Sequence, residues 1–194
     1  MSMIRVYDLP TRVFHATFSV LFIVAFIIAK TVDDESTIYG LHMLMGLIML
    51  ASVLLRIFWG FFGSKYARFN TFQLNPKQFI EYIKNATKGT ADKFIGHNPG
   101  SSMVAIGMFG LTFLLVISGY NMAIKNYKYI FEEVHEIAAH LFLLFAVAHI
   151  VGIILHTIKH KETIAISMIT GKKNITDKTN EIDNHSIVAI LYIV

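Results

Sequence analysis

The stretch EEVHEIAAHLFLLFAVAHIVGIILHTIKH, residues 132–160, decides the fold of this chain. It carries five histidines, at positions 135, 140, 149, 156 and 160, in a segment that is otherwise largely apolar. About 20 apolar residues are enough for a helix to cross the hydrocarbon core of a bilayer. Ionisable side chains inside such a helix are costly and by default mark a functional site. The stretch therefore predicts a membrane-spanning helix that carries a site.

The composition of the whole chain also indicates a membrane protein. Of the 194 residues, 55% are hydrophobic and only 15% are charged, and the mean hydropathy is +0.57. The absence of cysteine excludes disulfides, thiolate metal sites, cysteine-held iron–sulfur clusters and covalently attached c-type haem. The opening residues, MSMIRVYDLPTRVFH, have no apolar core followed by a small-residue cleavage site, so we expect the N-terminus to be retained.

Apolar runs predict four membrane-spanning helices. The runs cover residues 13–29, 38–62, 101–124 and 130–158, within a domain that extends over residues 1–171. The predicted fold class is an all-α membrane protein, a bundle of four transmembrane helices. Residues 172–194 end in the nine-residue run SIVAILYIV, which is too short to cross a bilayer. We expect them to form a disordered or surface-lying cytoplasmic tail.

The distribution of basic residues predicts the orientation of the bundle. Of the 17 lysines and arginines, 14 fall on the side shared by the N-terminus, the loop from Gly63 to Gly100 and the C-terminus. The other side has only Lys30, Lys125 and Lys128. Because short cytoplasmic loops carry the positive excess, both termini are predicted to be cytoplasmic. The same topology explains the sequence pI of about 9.2, and no motif indicates a nucleic-acid partner.

The histidines can be placed by depth and by helix face. A helix turns about 100° and rises about 1.5 Å per residue, so His135 and His149 share one face, within roughly 40°, and lie about 21 Å apart along the axis. His15 is at the inner start of the first span, and His42 is at the outer start of the second. The antiparallel path of the chain therefore predicts the pairs His15–His149 and His42–His135. A neutral imidazole offers one ring nitrogen to iron, so each pair can hold a haem without a covalent link.

Other residues agree with bulky planar cofactors inside the bundle. Arg12 and Arg56, at the inner ends of the first two spans, are candidates to pair with haem propionates. Small residues let a ring approach the backbone, although in the third span they are equally compatible with helix packing. The candidates are Gly46, Gly107, Gly110, Ser118 and Gly152.

Two further histidines of the fourth span are expected to lie outside the site. His140 is about 140° round the helix from His135, so it cannot share that face, and we expect it to have a structural role. His160 lies at the basic end of the span and is expected to be solvated.

Several motifs together resemble one known family. They are YDLPTRVFH (7–15), RIFWGFFGSKYARF (56–69), GHNPGS (96–101) and the two histidines 14 residues apart in the fourth span. Over residues 1 to about 173 the chain resembles the bacterial di-haem cytochrome b561 family, which includes the b-type cytochrome subunits of nickel–iron hydrogenases. The resemblance implies a protein of the bacterial inner membrane with two b-type haems. Its implied ligands are His15, His42, His135 and His149, which helix geometry also selects.

The GHNPGS motif lies where the basic loop enters the third span, and relatives with a quinone pocket build it there. His97 and Asn98 are therefore candidates to hydrogen-bond a quinone carbonyl and to exchange its proton, with His156 as a helper. The alternative is a simple helix start, because Asn-Pro-Gly is ordinary capping chemistry.

Three functions stay open at this point, and the first is preferred. In the first, a quinone exchanges electrons with the inner haem, and a periplasmic-side partner such as a c-type cytochrome or a hydrogenase exchanges them with the outer haem. The second is a superoxide:quinone oxidoreductase, which the acidic outer rim disfavours. The third is a haem-free histidine-based transporter, for which the expected intramembrane carboxylates are absent. All three place the chain in contact with membrane lipid, and the oligomeric state is left open, a homodimer included.

Overall fold

The computed structural model describes residues 2–90, 92, 94–161, 164–175 and 181–192. Short 3-10 turns occur at Thr37–Tyr39, Phe69–Thr71 and Ile190–Tyr192. In chain order the other elements are β1 (Ser2–Arg5), α1 (Leu9–Thr31), α2 (Gly40–Phe62), α3 (Pro76–Thr87), α4 (Pro99–Ala123), α5 (Lys128–His160), α6 (Ile164–Thr170), β2 (Lys172–Ile175) and α7 (Ser186–Ala189).

Within this described part of the chain, four helices are long and apolar enough to cross a membrane: α1, α2, α4 and α5. Each overlaps one predicted span, so the all-α membrane bundle is confirmed. The largest difference is at α1, which begins at Leu9 and not at residue 13. The reason is local: the side chain of Asp8 accepts a hydrogen bond from the backbone N–H of Thr11 at 2.9 Å, and Pro10 favours the first helical turn.

The bundle packs around aromatic and aliphatic side chains. α4 lies along α5, α1 lies along α2, and α2 also contacts α4. Phe142 and Val53 are fully buried, and the ring of Phe22 lies 4.5 Å from that of Phe142. Other apolar side chains of the same helices point outward, for example Ile23 and Leu144, which are more than half exposed. An apolar outer surface of this kind suits a lipid environment.

The two ends of the bundle differ in charge. The basic end holds β1, β2, α6, α7 and the described part of the 63–98 connection. β1 pairs antiparallel with β2, and Nζ of Lys173 donates to the carbonyl oxygen of Ile95 at 2.8 Å. The acidic end holds the 32–39 and 124–127 connections. The described residues nearest the two termini, Ser2 and Tyr192, thus lie at the basic end, and the cytoplasmic location of that end stays a prediction.

Two elements at the basic end differ from the sequence expectation. The 63–100 loop contains α3, which a search for apolar runs misses. This helix is too short to cross a bilayer, and its exposed isoleucines, Ile80 and Ile83, are separated by polar and charged residues. Residues 172–194, expected to be a disordered or surface-lying tail, are not one where they are described. Residues 172–175 pair with β1, and residues 181–192 pack on the bundle, burying Ala189 and Tyr192. Their backbone and apolar groups find partners in the N-terminal residues and in α1 and α2.

Candidate functional site

The structure places four histidines in two pairs inside the bundle. The ring centroids of His15 on α1 and His149 on α5, here called the basic-end pair, are 6.3 Å apart. Those of His42 on α2 and His135 on α5, the acidic-end pair, are 6.1 Å apart. A bond between a metal ion and a histidine nitrogen is about 2 Å long, so two imidazoles on opposite sides of one metal ion have ring centres roughly 6 Å apart. Both pairs have this spacing.

Hydrogen bonds orient both rings of the acidic-end pair. Nδ1 of His42 lies 2.9 Å from the carbonyl oxygen of Ala25, and because a carbonyl only accepts, this nitrogen carries the proton. Nδ1 of His135 lies 3.0 Å from the hydroxyl oxygen of Ser118, which donates its own proton to the carbonyl of Leu114 at 2.7 Å. Ser118 therefore accepts from His135. In both rings Nε2 is left with a free lone pair, the arrangement that metal-binding histidines use.

The glycines near the pairs do not all serve the same purpose. A Cβ atom built at Gly46, one turn along α2 from His42, meets nothing within 4 Å, and the same holds at Gly110 and Gly152. At Gly107 a Cβ would collide with the ring of Phe145 on α5. Gly46, Gly110 and Gly152 thus border open space, whereas Gly107 lets α4 pack closely against α5.

Two arginines at the basic end have guanidinium nitrogens that lack partners. Arg56 is only 2% exposed; its Nη2 donates to the carbonyl oxygen of Ala67 at 2.9 Å, but its buried Nη1 has no hydrogen-bond partner among the described residues. Nη2 of Arg12 donates to the carbonyl of Ile169, and its buried Nε is likewise unsatisfied by the described protein atoms. Buried donors normally have partners, so these nitrogens fit acceptor oxygens of a bound group such as a haem propionate.

His97 lies at the basic end in an apolar and positively charged setting. Its ring packs on Phe72 with centroids 4.4 Å apart. Burial, and then the charges of Arg56 and Lys173, lower the pKa of His97 to about 3, against a hydrogen bond to the backbone of Tyr66 that raises it. His97 is therefore neutral near pH 7 and does not titrate there. Its buried Nδ1 has no partner in the described part of the chain, and since the ring donates to Tyr66 through the other nitrogen, Nδ1 is an acceptor.

Asn98 caps α4. Its side-chain oxygen Oδ1 accepts from the backbone N–H of Ser101 at 2.7 Å, and the Ser101 hydroxyl lies 3.0 Å from the backbone N–H of Asn98 in a reciprocal capping box. The helix-start reading of the GHNPGS motif is thus realised in the structure. Any contact of the Asn98 side chain with a ligand is left to its amide nitrogen.

The remaining histidines of α5 are in neither pair. His140 is exposed on the outer surface of the helix, as its angular separation from His135 predicts. His156 is partly buried nearer the basic end. The side chain of His160 lies outside the described part of the structure, so its expected solvation is not tested.

A cleft of about 420 Å³ at the acidic end reaches the acidic-end pair. It is lined by His42 and His135 together with Tyr39, Gly119 and Met122. Gly119 contributes by lacking a side chain, since a Cβ there would lie 3.4 Å from the ring of His135. The acidic-end pair is therefore approachable from that surface, a feature that hydropathy and histidine spacing do not reveal.

The donor set favours haem iron over a bare metal ion. Among the described residues, no group of three or more histidine, aspartate and glutamate side chains is placed to hold a metal. Each pair offers two ligands, fewer than structural zinc or calcium sites use. A porphyrin supplies the remaining iron ligands itself, and at Gly46 and Gly152, each about one turn from a paired histidine, a Cβ would meet no protein atom within 4 Å. The residues present thus fit haem.

The chain is similar to known membrane cytochromes. Residues 6–171 match the family model of prokaryotic cytochrome b561. The chain is 22% identical over 213 residues to the probable Ni/Fe-hydrogenase 1 B-type cytochrome subunit of Escherichia coli (strain K12), covering 87% of this chain and 90% of that protein. It is 20% identical over 216 residues to the probable Ni/Fe-hydrogenase B-type cytochrome subunit of Rhodobacter capsulatus, covering 90% and 82%. No solved structure is significantly similar to it. The family match contains both histidine pairs and ends just before β2.

Proposed function

Because the chain belongs to the prokaryotic cytochrome b561 family, and is thus a b-type cytochrome of electron transfer in the bacterial inner membrane, we propose that it holds two haems b and connects a membrane quinone with a redox partner. The observation that carries the proposal is that the two histidine pairs have nearly equal ring-centroid separations, 6.3 Å between α1 and α5 and 6.1 Å between α2 and α5. Two sites of the same spacing at two depths are what electron passage across a bilayer needs.

We assign the binding of the haems to the paired histidines. His15 and His149 would hold one haem at the basic end, and His42 and His135 would hold the other at the acidic end. When bound, each haem accepts and releases one electron at a time. The chain's own contribution is ligation and orientation: the carbonyl of Ala25 accepts a hydrogen bond from Nδ1–H of His42, and the hydroxyl of Ser118 accepts one from Nδ1–H of His135. These bonds would direct Nε2 of each ring to the metal and raise its basicity.

We place the quinone at the basic end, beside the basic-end pair. The support is two buried polar atoms there, Nη1 of Arg56 and Nδ1 of His97, that have no hydrogen-bond partner among the described residues. His97 is also close enough to His149 to interact with it electrostatically. A neutral His97 can accept a hydrogen bond from a quinol hydroxyl. The amide nitrogen of Asn98 can donate to a quinone oxygen while its Oδ1 keeps the cap of α4.

We place the protein partner at the acidic end. Asp34 lines the cleft at the acidic-end pair, and Asp33, Glu132 and Glu133 are exposed at the same end of the bundle. This negative charge favours a partner with a basic contact surface. Both relatives compared are named as subunits of nickel–iron hydrogenases, so a hydrogenase is the first candidate and a c-type cytochrome the second. The same acidic rim repels superoxide, which counts against a superoxide:quinone oxidoreductase.

Haem stoichiometry in ligand variants tests this proposal. Acid–acetone should extract all haem from the purified protein, at two haems b per chain, because cysteine is absent. His149→Ala should retain one haem, and His140→Ala, which changes an exposed histidine of the same helix, should retain two. A wild-type protein with one haem under adequate haem supply would overturn the proposal. So would loss of a haem in His140→Ala together with its retention in His135→Ala.

A further inference from the structure

The segment 181–192, here called the C-terminal cap, lies outside the stretch that matches the family and packs against the basic end. The backbone N–H of Leu9 donates to the carbonyl of Asn184 at 3.0 Å, and the N–H of Ile182 donates to the carbonyl of Arg5 at 3.1 Å. The ring of His185 lies 5.2 Å from that of Trp59 near the end of α2. These contacts hold the cap against the start of α1 and the end of α2.

The last described residue of the cap, Tyr192, enters the core of the bundle. It is 8% exposed, and its ring lies 6.1 Å from that of Phe14, the neighbour of His15 in sequence. Its hydroxyl is buried and has no hydrogen-bond partner among the described residues. Burial, opposed by Arg56 and reinforced by Asp8, raises the pKa of Tyr192 to about 12. The hydroxyl therefore keeps its proton and is a donor.

The hydroxyl of Tyr192 and Nη1 of Arg56 are two hydrogen-bond donors that have no acceptor among the described residues. Arg56 interacts electrostatically with Tyr192, yet its Nη1 is also buried without a partner among the described residues. Asp8 hydrogen-bonds neither group in the structure; its two oxygens accept from the N–H of Thr11 and from Nε1 of Trp59, each at 2.9 Å. Arg56 and Tyr192, each more than nine-tenths buried and close enough to interact electrostatically, thus both carry a hydrogen-bond donor that no described residue uses.

We propose that the C-terminal cap completes the binding site at the basic end, and that the hydroxyl of Tyr192, together with Nη1 of Arg56, donates to an acceptor oxygen of the group bound there. The chemistry is that of a carboxylate or carbonyl oxygen, which a haem propionate or a quinone supplies. The quinone source rests on the proposed function. The outer face of the cap carries Ile187, Ile190 and Leu191, all more than half exposed, so the cap is suited to lie at the membrane boundary.

Tyr192→Phe in the full-length holoprotein tests the hydroxyl, with Tyr127→Phe, an exposed tyrosine at the acidic end, as the matched control. If the oxygen belongs to a propionate, the midpoint potential of the basic-end haem falls without quinone present, because the less stabilised carboxylate favours the oxidised iron. If it belongs to a quinone, both potentials stay and the KM for quinol rises roughly 2- to 10-fold, the effect of one neutral hydrogen bond. Unchanged potentials and unchanged KM overturn the proposal.

Failure of the proposed function would give different results. A wild-type protein that does not bind two haems would contradict the di-haem assignment. A wild-type protein that binds two haems but is not reduced by quinol would contradict the quinone role, and the midpoint-potential measurement would still test Tyr192.

Discussion

Ser118→Ala removes the hydrogen bond that orients His135, and it should weaken haem binding at the acidic-end pair. In the structure the Ser118 hydroxyl is fully buried and lies 3.0 Å from Nδ1 of His135. Because the ring of His135 also has a hydrogen bond to the backbone of Leu115, the loss is that of one net hydrogen bond, about 0.5–1.5 kcal/mol, or roughly 2- to 13-fold in affinity. This range overlaps the roughly 10- to 100-fold effect usual for residues that orient metal ligands.

Haem transfer from the purified holoprotein to an excess of apomyoglobin measures this effect. One of the two haems should leave faster from Ser118→Ala, and the other should leave at the wild-type rate. Thr112→Val is the matched control, because Thr112 is also buried on α4 and also donates to the carbonyl four residues earlier. Equal release rates in Ser118→Ala, Thr112→Val and the wild type would refute the assignment of His135 as a ligand held by Ser118.

Three further predictions follow from the site. Gly152→Leu should yield one haem per chain by the pyridine haemochrome assay, because Gly152 lies about one turn from His149 and a side chain there would compete with a bound ring for space that no protein atom fills. Val151→Leu is the control: it is exposed like Gly152 but lies about 160° round the helix from His149, so it should keep two haems, and two haems in both variants would place the cofactor elsewhere. Asn98→Ser keeps a side-chain oxygen that can cap α4 but loses the amide nitrogen, so the haem spectra should not change while the rate of haem reduction by quinol falls by up to about 10-fold. An unchanged rate would show that Asn98 only caps the helix. The pKa of His97 is about 3 in the folded state, below its ordinary 6.5, so between these pH values the unfolded chain binds a proton that the folded chain does not, and the free energy of unfolding should fall as the pH drops from 6.5 towards 3. Thermal scans at pH 7 and pH 4 should therefore show a weaker pH dependence for His97→Phe than for the wild type, and an equal dependence would contradict this.

The sequence by itself determined the features that depend on local pattern. Length and hydropathy of the apolar runs predict the four spans, since a bilayer requires every backbone group to be satisfied within a helix. The 14-residue separation of His135 and His149 predicts their common face, and the same periodicity correctly directs His140 away from it. The motif GHNPGS was compatible with both a ligand and a cap, because its residue types serve either.

The sequence also predicts which histidines pair across helices, from their depths, but only the tertiary structure decided which groups orient those histidines. The sequence does not show that Ser118 on α4 and Ala25 on α1 orient His135 and His42, because such contacts depend on how each helix is rotated about its axis. Nor does it show that Tyr192 reaches the core near Arg56. The short apolar run that ends the chain cannot span a bilayer, but it can bury one face once β2 has paired with β1 and brought it to the bundle. Contacts between such distant residues arise from packing, which no local pattern encodes.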